Sequence, residues 1–467
     1  MSHSFNPTIL REYDIRGIIG ETLGPDDARA IGRVFGSMLA EAGGRRVAVG
    51  YDGRVSSPIL EHALVEGLSA TGLDVVRIGM GPTPMLYYAE ASAGDVDGGI
   101  QITGSHNPAN YNGFKMVFQG RPFFGADIQE LGRRSAAGEW RDGTGSVETR
   151  DVMDAYIAKM LAALEGIDPA KLEGMRIGWD AGNGAAGPAL ERLVAGLPGE
   201  HHLLYTEVDG NFPNHHPDPT VEANLADLRA LVAEKSLDFG IAFDGDGDRI
   251  GAIDGEGRVI WGDQLLMIYA EDLLATRKGA TIIADVKASR ALFDHVAAHG
   301  GQPLMWKTGH SLIKSKMKEV SSPLAGEMSG HVFFADEYYG FDDALYAGVR
   351  LIAASARLGR SVTELRGAMP AMVNTPELRF QVDESRKFAA IEEIAARIAA
   401  SDAVANTTDG VRVTTDDGWW LLRASNTQDV LVARAESDTQ EGLDRLVAQI
   451  DEQLALSGLE RGESVGH

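Results

Sequence analysis

Cysteine is absent from the 467-residue chain, which excludes disulfides, thiolate-bound zinc and iron–sulfur clusters. Positive charge is short: 43 Lys and Arg against 68 Asp and Glu leave a net charge of −25. A surface so acidic argues against non-specific contact with nucleic acid or anionic membranes. An anionic ligand would have to be gripped by a local cationic pocket. No stretch approaches the roughly 18 unbroken apolar residues of a membrane span. Where a signal peptide needs an apolar run, the N-terminus carries Pro7, Arg11, Glu12 and Asp14. A cytoplasmic protein with no nucleic-acid or membrane partner is expected.

Apolar residues make up 44% and charged residues 24%, the balance of an ordinary globular protein. Glycine is abundant, 56 of 467 or 12%, against about 7% on average, so many tight turns are needed. At about 150 residues per domain, the length predicts roughly three domains.

A short apolar strand, a glycine- or polar-rich turn and a helix recur along the chain. The pattern appears at Arg46–Gly50 with a helix from about Pro58, at Met175–Trp179, and at Ala280–Ala284 with the helix Arg290–Ala298. The turn aspartates Asp52, Asp180 and Asp285 are 128 and 105 residues apart, the spacing of three similar α/β domains in tandem. The polar stretch Ala137–Val147 and the turn Asp254–Gly257 mark boundaries, with the chain restarting at Val259. After Gly367–Thr375, strand patterns surround a long helix, Glu384–Ala400, and an amphipathic helix runs from about Thr439 to Leu456. The expected architecture is α/β: three tandem similar domains with mixed sheets (1–150, 151–258, 259–369) and a smaller C-terminal α+β domain (370–467).

Four loops could carry chemistry. Thr103-Gly104-Ser105-His106-Asn107-Pro108 follows an apolar strand, so Ser105 is a candidate nucleophile, although the same residue types build plain turns. Asp244-Gly245-Asp246-Gly247-Asp248-Arg249 offers three carboxylates at alternate positions. They converge on one hard cation if the glycines let the backbone coil. Oxygen-only ligands favour Mg²⁺ over zinc. Gly326-Glu327-Met328-Ser329-Gly330-His331 combines carboxylate, hydroxyl and imidazole, a set suited to a polyhydroxyl ligand. Arg423-Ala424-Ser425-Asn426-Thr427 joins an arginine fork to neutral donors, a phosphate-sized cradle. A rival signal is Gly182-Asn183-Gly184-Ala185-Ala186-Gly187. It is a formal G-x-G-x-x-G between strand and helix, and it makes an NAD-dependent oxidoreductase the competing reading. His215-His216 lies in a proline-rich loop and reads as loop.

TGSHNP, DGDGDR, GEMSGH and RASNT, in this order and one per domain, resemble the α-D-phosphohexomutase family. With Tyr13-Asp14-Ile15-Arg16-Gly17, the resemblance covers the whole chain. It implies an active site in the central cleft and a phosphoserine at Ser105. That group would pass between the enzyme and a hexose 1- or 6-phosphate of mannose or glucose, through a bisphosphorylated sugar. Mg²⁺ would be held by Ser105, Asp244, Asp246 and Asp248, with glucose 1,6-bisphosphate or a related hexose bisphosphate as activator. Arg16, Lys115 and Arg249 would surround the transferring group, with Lys115 or His106 as proton shuttle. Glu327, Ser329, His310, His331 and Tyr13 would address the sugar. Arg423, Ser425, Asn426, Thr427, Lys287 and Arg434 would hold the unreacting phosphate. Residue 328 is Met, unlike the glutamine-containing loop of the phosphoglucosamine mutases, the alternative within the family. A sugar-phosphate binding protein that lost its chemistry is the non-enzyme alternative. The chain is expected to act as a monomer.

Overall fold

The computed structural model describes residues 2–426 and 428–462. Its first sheet contains β1 (Ile15–Ile18), β2 (Arg46–Tyr51), β3 (Asp74–Met80), β4 (Gly98–Ile102), β5 (Tyr111–Phe118), β6 (Arg121–Pro122) and β7 (Val147–Thr149). The second contains β8 (Arg176–Asp180), β9 (Glu200–Leu204), β10 (Phe239–Phe243), β11 (Ile250–Asp254) and β12 (Val259–Ile260). The third contains β13 (Thr281–Asp285), β14 (Gln302–Trp306), β15 (Leu324–Gly326) and β16 (Val332–Phe334).

These three sheets share one plan. A central strand has a parallel neighbour on each side, and one neighbour continues into an antiparallel strand. The orders are β3-β2-β4-β5, β9-β8-β10-β11 and β14-β13-β15-β16. Asp52 follows the first central strand, while Asp180 and Asp285 end the other two, and all three are buried. Asp52 and Asp180 each accept a backbone N–H two residues on, from Arg54 at 3.0 Å and Gly182 at 2.8 Å. This fixes the turn that leaves the sheet. The tandem α/β architecture expected from the spacing of these residues is therefore present, with mixed sheets.

The last sheet is antiparallel, made of β17 (Val373–Asn374), β18 (Leu378–Gln381), β19 (Val404–Asn406), β20 (Val411–Thr415), β21 (Gly418–Ala424) and β22 (Val430–Ser437). Helices Glu384–Ala399 and Gln440–Leu456 accompany it, giving the α+β unit. One expectation is corrected. The chain does not restart at Val259, because Val259 and Ile260 pair with Ile253 and Ala252 in the second sheet. A strand two residues long follows its hairpin partner rather than the next unit.

The repeated plan positions the chemistry. Ser105 lies between β4 and β5, the three aspartates between β10 and β11, and Glu327–His331 between β15 and β16. Each loop is the same connection of its sheet, where the chain leaves the carboxyl end of a parallel strand and reverses. Ligands of open α/β sheets gather at such ends. Apolar packing from Ala48 through Trp179 to Leu365 forms one continuous cluster across the first three units, whereas the C-terminal sheet packs on a cluster of its own. Among the described residues, no helix is long and apolar enough to cross a membrane.

Candidate active site

A cleft of about 700 Å³ opens between all four units, with walls from Arg11 to Val432. Its floor is the Ser105 loop. Ser105 is buried and holds a positive φ of 49°, a conformation that costs a non-glycine residue energy and needs outside support. That support is Arg54, itself buried. Its guanidinium donates to the carbonyls of Ser105 at 2.8 Å, Asn107 at 2.6 Å, Pro108 at 2.6 Å and Tyr111 at 3.0 Å. Its Nε also donates to Asp52 at 3.1 Å. Residue 104 has to be glycine, since a Cβ there would sit 2.3 Å from the Arg54 guanidinium carbon.

Against this loop lies the aspartate turn. Ser105 Oγ donates to Asp244 Oδ2 at 3.1 Å and stands 3.1 Å from His106 Nδ1. Residue 245 lacks a side chain because a Cβ would fall 2.4 Å from the Ser105 carbonyl oxygen. The amides of Asp248 and Arg249 donate to Asp244 Oδ1, both at 3.1 Å. Asp244, Asp246 and Asp248 are all fully buried. Burial and mutual repulsion push the carboxyls of Asp244 and Asp248 up. Asp246 is held down, against the cost of burial, by Lys115. Lys115 Nζ donates to Asp246 at 2.7 Å and to Asp248. Burial alone would favour loss of its proton, but the surrounding aspartates keep the ammonium form well above its ordinary range.

The triplet fits a divalent cation on its own geometry. One oxygen from each aspartate lies within 4.8 Å of the others, and Asp246 Oδ1 and Asp248 Oδ1 are buried with no hydrogen-bond partner. Buried carboxylate oxygens without donors are costly unless a cation takes them.

The walls carry the remaining charge. Arg16, on β1, pairs with Asp14 and donates to Asn107 Oδ1 at 2.5 Å. Arg249 Nε donates to His331 Nε2 at 3.1 Å, joining the aspartate turn to the third loop. His331 Nδ1 is 3.0 Å from the buried Asp342, and its ring stacks on His310 at 5.5 Å. Glu327 Oε1 accepts from the Gly309 amide at 2.7 Å, leaving a second oxygen for a ligand hydroxyl. Ser329 and Met328 line the same wall.

Opposite stands the C-terminal loop. Arg423 is buried, held by Asp409 at 3.0 Å, and it lines the cleft with Ser425 and Asn426. Asn426 Nδ2 donates to the Tyr13 hydroxyl at 2.7 Å, and that hydroxyl donates to the Thr308 carbonyl at 2.9 Å. Tyr13 therefore ties together the first, third and last units. Burial pushes its phenol up to about 12, so it remains a neutral donor.

Models of the phosphoglucomutase/phosphomannomutase alpha/beta/alpha domains I, II and III match residues 7–142, 154–257 and 261–372, and that of the C-terminal domain matches 377–453. The chain belongs to the phosphoglucomutase/phosphomannomutase family. A phosphomannomutase/phosphoglucomutase of Pseudomonas aeruginosa is 45% identical over 447 residues, 96% of this chain and 95% of that one. A phosphoglucomutase of Neisseria gonorrhoeae is 43% identical over 452 residues, 95% and 96% of the two chains. The crystal structure of a family protein from Burkholderia thailandensis superposes with a TM-score of 0.91 at 44% identity, covering 99% of this chain and all of that one.

In this family member most of the expected site residues meet in the cleft, Lys287 among them although engaged by a carboxylate, while Arg434 does not line it. Lys287 Nζ donates to Glu377 Oε2 at 2.8 Å, committing it to a carboxylate that bridges the third and last units. Arg434 is buried in β22 opposite Leu421 and, unlike Val432 two residues before it, does not line the cleft. Thr427 lies outside the described residues. The glycine corner at 182–187 binds no dinucleotide phosphate, because its amides are already used. Ala185 N donates to the Gly245 carbonyl at 2.9 Å and Asn183 N to Tyr205 at 2.9 Å. A Cβ at 184 would lie 2.8 Å from that same Gly245 oxygen. The close packing the glycines allow seats the aspartate turn. Arg54, Asp342 and Glu377 lay in none of the four loops, and His216, read only as loop, lines the cleft. Arg54 alone of these three had a signal, a charge three residues beyond the strand Arg46–Tyr51 and two after Asp52.

Proposed function

We propose that this chain interconverts 1- and 6-phosphates of mannose and glucose, with Ser105 as the phosphoryl carrier. One observation carries the reading: Ser105 Oγ stands 3.1 Å from Asp244, beside two unpartnered buried aspartate oxygens, on the floor of a cleft whose far wall is a phosphate-sized cradle. In the forward step the bond from phosphorus to Ser105 Oγ breaks and one to the free sugar hydroxyl forms, that hydroxyl's proton replacing, by way of the shuttle, the one the shuttle gives to the released serine oxygen. The bisphosphorylated sugar turns over, and its other phosphoryl group returns to Ser105.

Phosphoryl transfer asks the protein for placement and charge neutralisation. Arg16 and Arg249 flank the floor. Asp244, Asp246 and Asp248 would hold Mg²⁺, which supplies Lewis-acid neutralisation of phosphate charge when bound. Of the two candidate shuttles, Lys115 is held as an ammonium by its carboxylates. His106 Nδ1 lies 3.1 Å from Ser105 Oγ, in place to give that oxygen a proton as the phosphoryl group leaves and recover it on return. Glu327 and Ser329 address ring hydroxyls, and Arg423, Ser425, Asn426 and Thr427 grip the phosphate that is not reacting. That cradle recognises a phosphate rather than the carbon bearing it, which allows either orientation of the intermediate.

Glucose and mannose differ only at the 2-hydroxyl, and a Glu327/Ser329 pair addressing other ring hydroxyls would be nearly blind to that difference. Coupled assays on glucose 1-phosphate and mannose 1-phosphate, with glucose 1,6-bisphosphate as activator, should give comparable kcat/KM. A preference above about a thousandfold, roughly 4 kcal/mol, would contradict the shared-site reading. Absence of turnover on both would refute the function.

A further inference from the structure

The third unit carries a second cluster of metal-binding side chains, away from the cleft. Helices Gly262–Thr276 and Arg290–Ala298 pack together. His295, in the last turn of the second, and His299, which caps it, are four residues apart and so share one helix face. Their rings lie 4.1 Å apart. Across from them Glu271 places Oε2 at 3.7 Å from His295 Nε2 and Oε1 at 3.9 Å from His299 Nε2.

The second hydrogen bonds decide which nitrogens are free. His299 Nδ1 lies 2.9 Å from the His295 carbonyl oxygen. A carbonyl only accepts, so that nitrogen carries the proton and Nε2 is the one that presents a lone pair in the neutral ring. His295 bonds the Met267 carbonyl in the same manner, while its own Nε2 is buried with no hydrogen-bond partner. One ligand atom from each of Glu271, His295 and His299 lies within 4.8 Å of the others, and each ring is held from behind by a backbone carbonyl. This is the outer-shell arrangement of metal-bound histidines.

We propose that Glu271, His295 and His299 bind a borderline divalent transition ion of the Zn²⁺ class and thereby cross-link the two helices. Tetrahedral zinc with bonds of about 2.0–2.1 Å needs ligand atoms roughly 3.4 Å apart, so spacings of 3.7 and 3.9 Å to Glu271, within a group no wider than 4.8 Å, require the side chains to draw together on binding. Arg360 bonds Glu271 Oε1 from outside, leaving Oε2 inward and offsetting the carboxylate charge. A site of two imidazoles and one offset carboxylate suits Zn²⁺, Co²⁺ or Ni²⁺, not Mg²⁺, which demands an oxygen shell. The aspartate triplet has the opposite preference.

The test is a Co²⁺ titration of the full-length protein in millimolar Mg²⁺, followed by visible absorption, with Zn²⁺ as competitor. Cobalt in a low-coordinate imidazole site absorbs far more strongly than in an octahedral oxygen site, so the two metal sites are distinguished. Wild type should develop an intense band saturating at one equivalent and erased by Zn²⁺. His299→Gln and Glu271→Gln should weaken Co²⁺ binding at least about tenfold. Both should retain Mg²⁺-supported mutase turnover, and both should lose the rise in melting temperature that Zn²⁺ gives wild type. His299 is the more exposed of the two histidines, so its variant keeps the test valid if His295→Ala fails to fold. An absent intense band, or unchanged affinity in both variants, overturns the proposal.

Discussion

The floor of the cleft, where Ser105 meets the aspartates, and its far wall, where Arg423 and Asn426 stand, are attached to the molecule in different ways. The aspartate side of the floor rests on the apolar cluster that runs through the first three units, and the Ser105 side on the first unit's own core, with Ile100, Ile102 and Phe114. It is locked by backbone: Arg54 gathers four carbonyls, the backbone at 245 closes on Ser105, and that at 184 closes on Gly245. The wall belongs to a unit with a separate core. It meets the rest through side-chain joints. These are Asn426 on Tyr13, Lys287 on Glu377, and Arg412 on the carbonyls of Val286 and Ala288 at 2.7 and 2.8 Å. A small apolar patch of Val286, Trp419 and Leu421 completes the contact. Hydrogen bonds at such a joint exchange with water at little net cost, whereas opening a continuous apolar core does not. Placement is strictest where bonds change and looser where a phosphate is only held.

Experiments can break this contrast at either end. The largest effect belongs to the floor's charge balance. A chelator should stop turnover reversibly, and Asp246→Asn should abolish activity and weaken Mg²⁺ binding by more than about tenfold. Full activity in excess chelator would count against it. Next comes the frame beneath. Arg54→Ala leaves Asp52 buried without its cation, so denaturant melts should show a loss of about 3–5 kcal/mol. If Arg54→Ala melted like wild type, the floor would not be locked as described.

On the wall the losses should be functional and smaller. Arg423→Ala removes one charge-assisted phosphate contact of about 1.5–3 kcal/mol, lowering kcat/KM roughly 10- to 150-fold. The loss should be equal on glucose and mannose substrates, because the cradle does not see the epimeric carbon. Arg423→Lys should recover only part, having charge without the planar fork. An Arg423→Ala enzyme within about twofold of wild type would show a merely solvated arginine. Smallest is the joint: Tyr13→Phe gives up a hydroxyl that bridges Thr308 and Asn426, about 1 kcal/mol, so kcat/KM should fall about fivefold.

The chemistry of the site was more legible in the sequence than its frame. Ser105, the three aspartates and the Glu327 and Arg423 loops declare themselves because phosphate, cation and sugar each demand particular side chains at short spacing. The tandem α/β units were legible through Asp52, Asp180 and Asp285, since a buried aspartate after a strand is what starts each turn. That the three chemical loops are one connection repeated could not be read, because it depends on which strands pair. Asp342 and Glu377 act through partners far along the chain, and no local pattern marks them; Arg54 shows only a charge shortly after Asp52, with nothing to say that it gathers the Ser105 loop. The glycine corner at 182–187 misled in an instructive way: close backbone packing and dinucleotide binding call for the same glycines, and only the partners of its amides tell them apart.

The central claim is that Ser105 carries the phosphoryl group. Intact mass of the purified protein, followed by peptide mapping, tests it most directly. A subpopulation heavier by one phosphoryl group, mapped to Ser105, rising with glucose 1,6-bisphosphate and absent in Ser105→Ala together with turnover, is the expected result. A phosphopeptide elsewhere, with Ser105→Ala fully active, would contradict it.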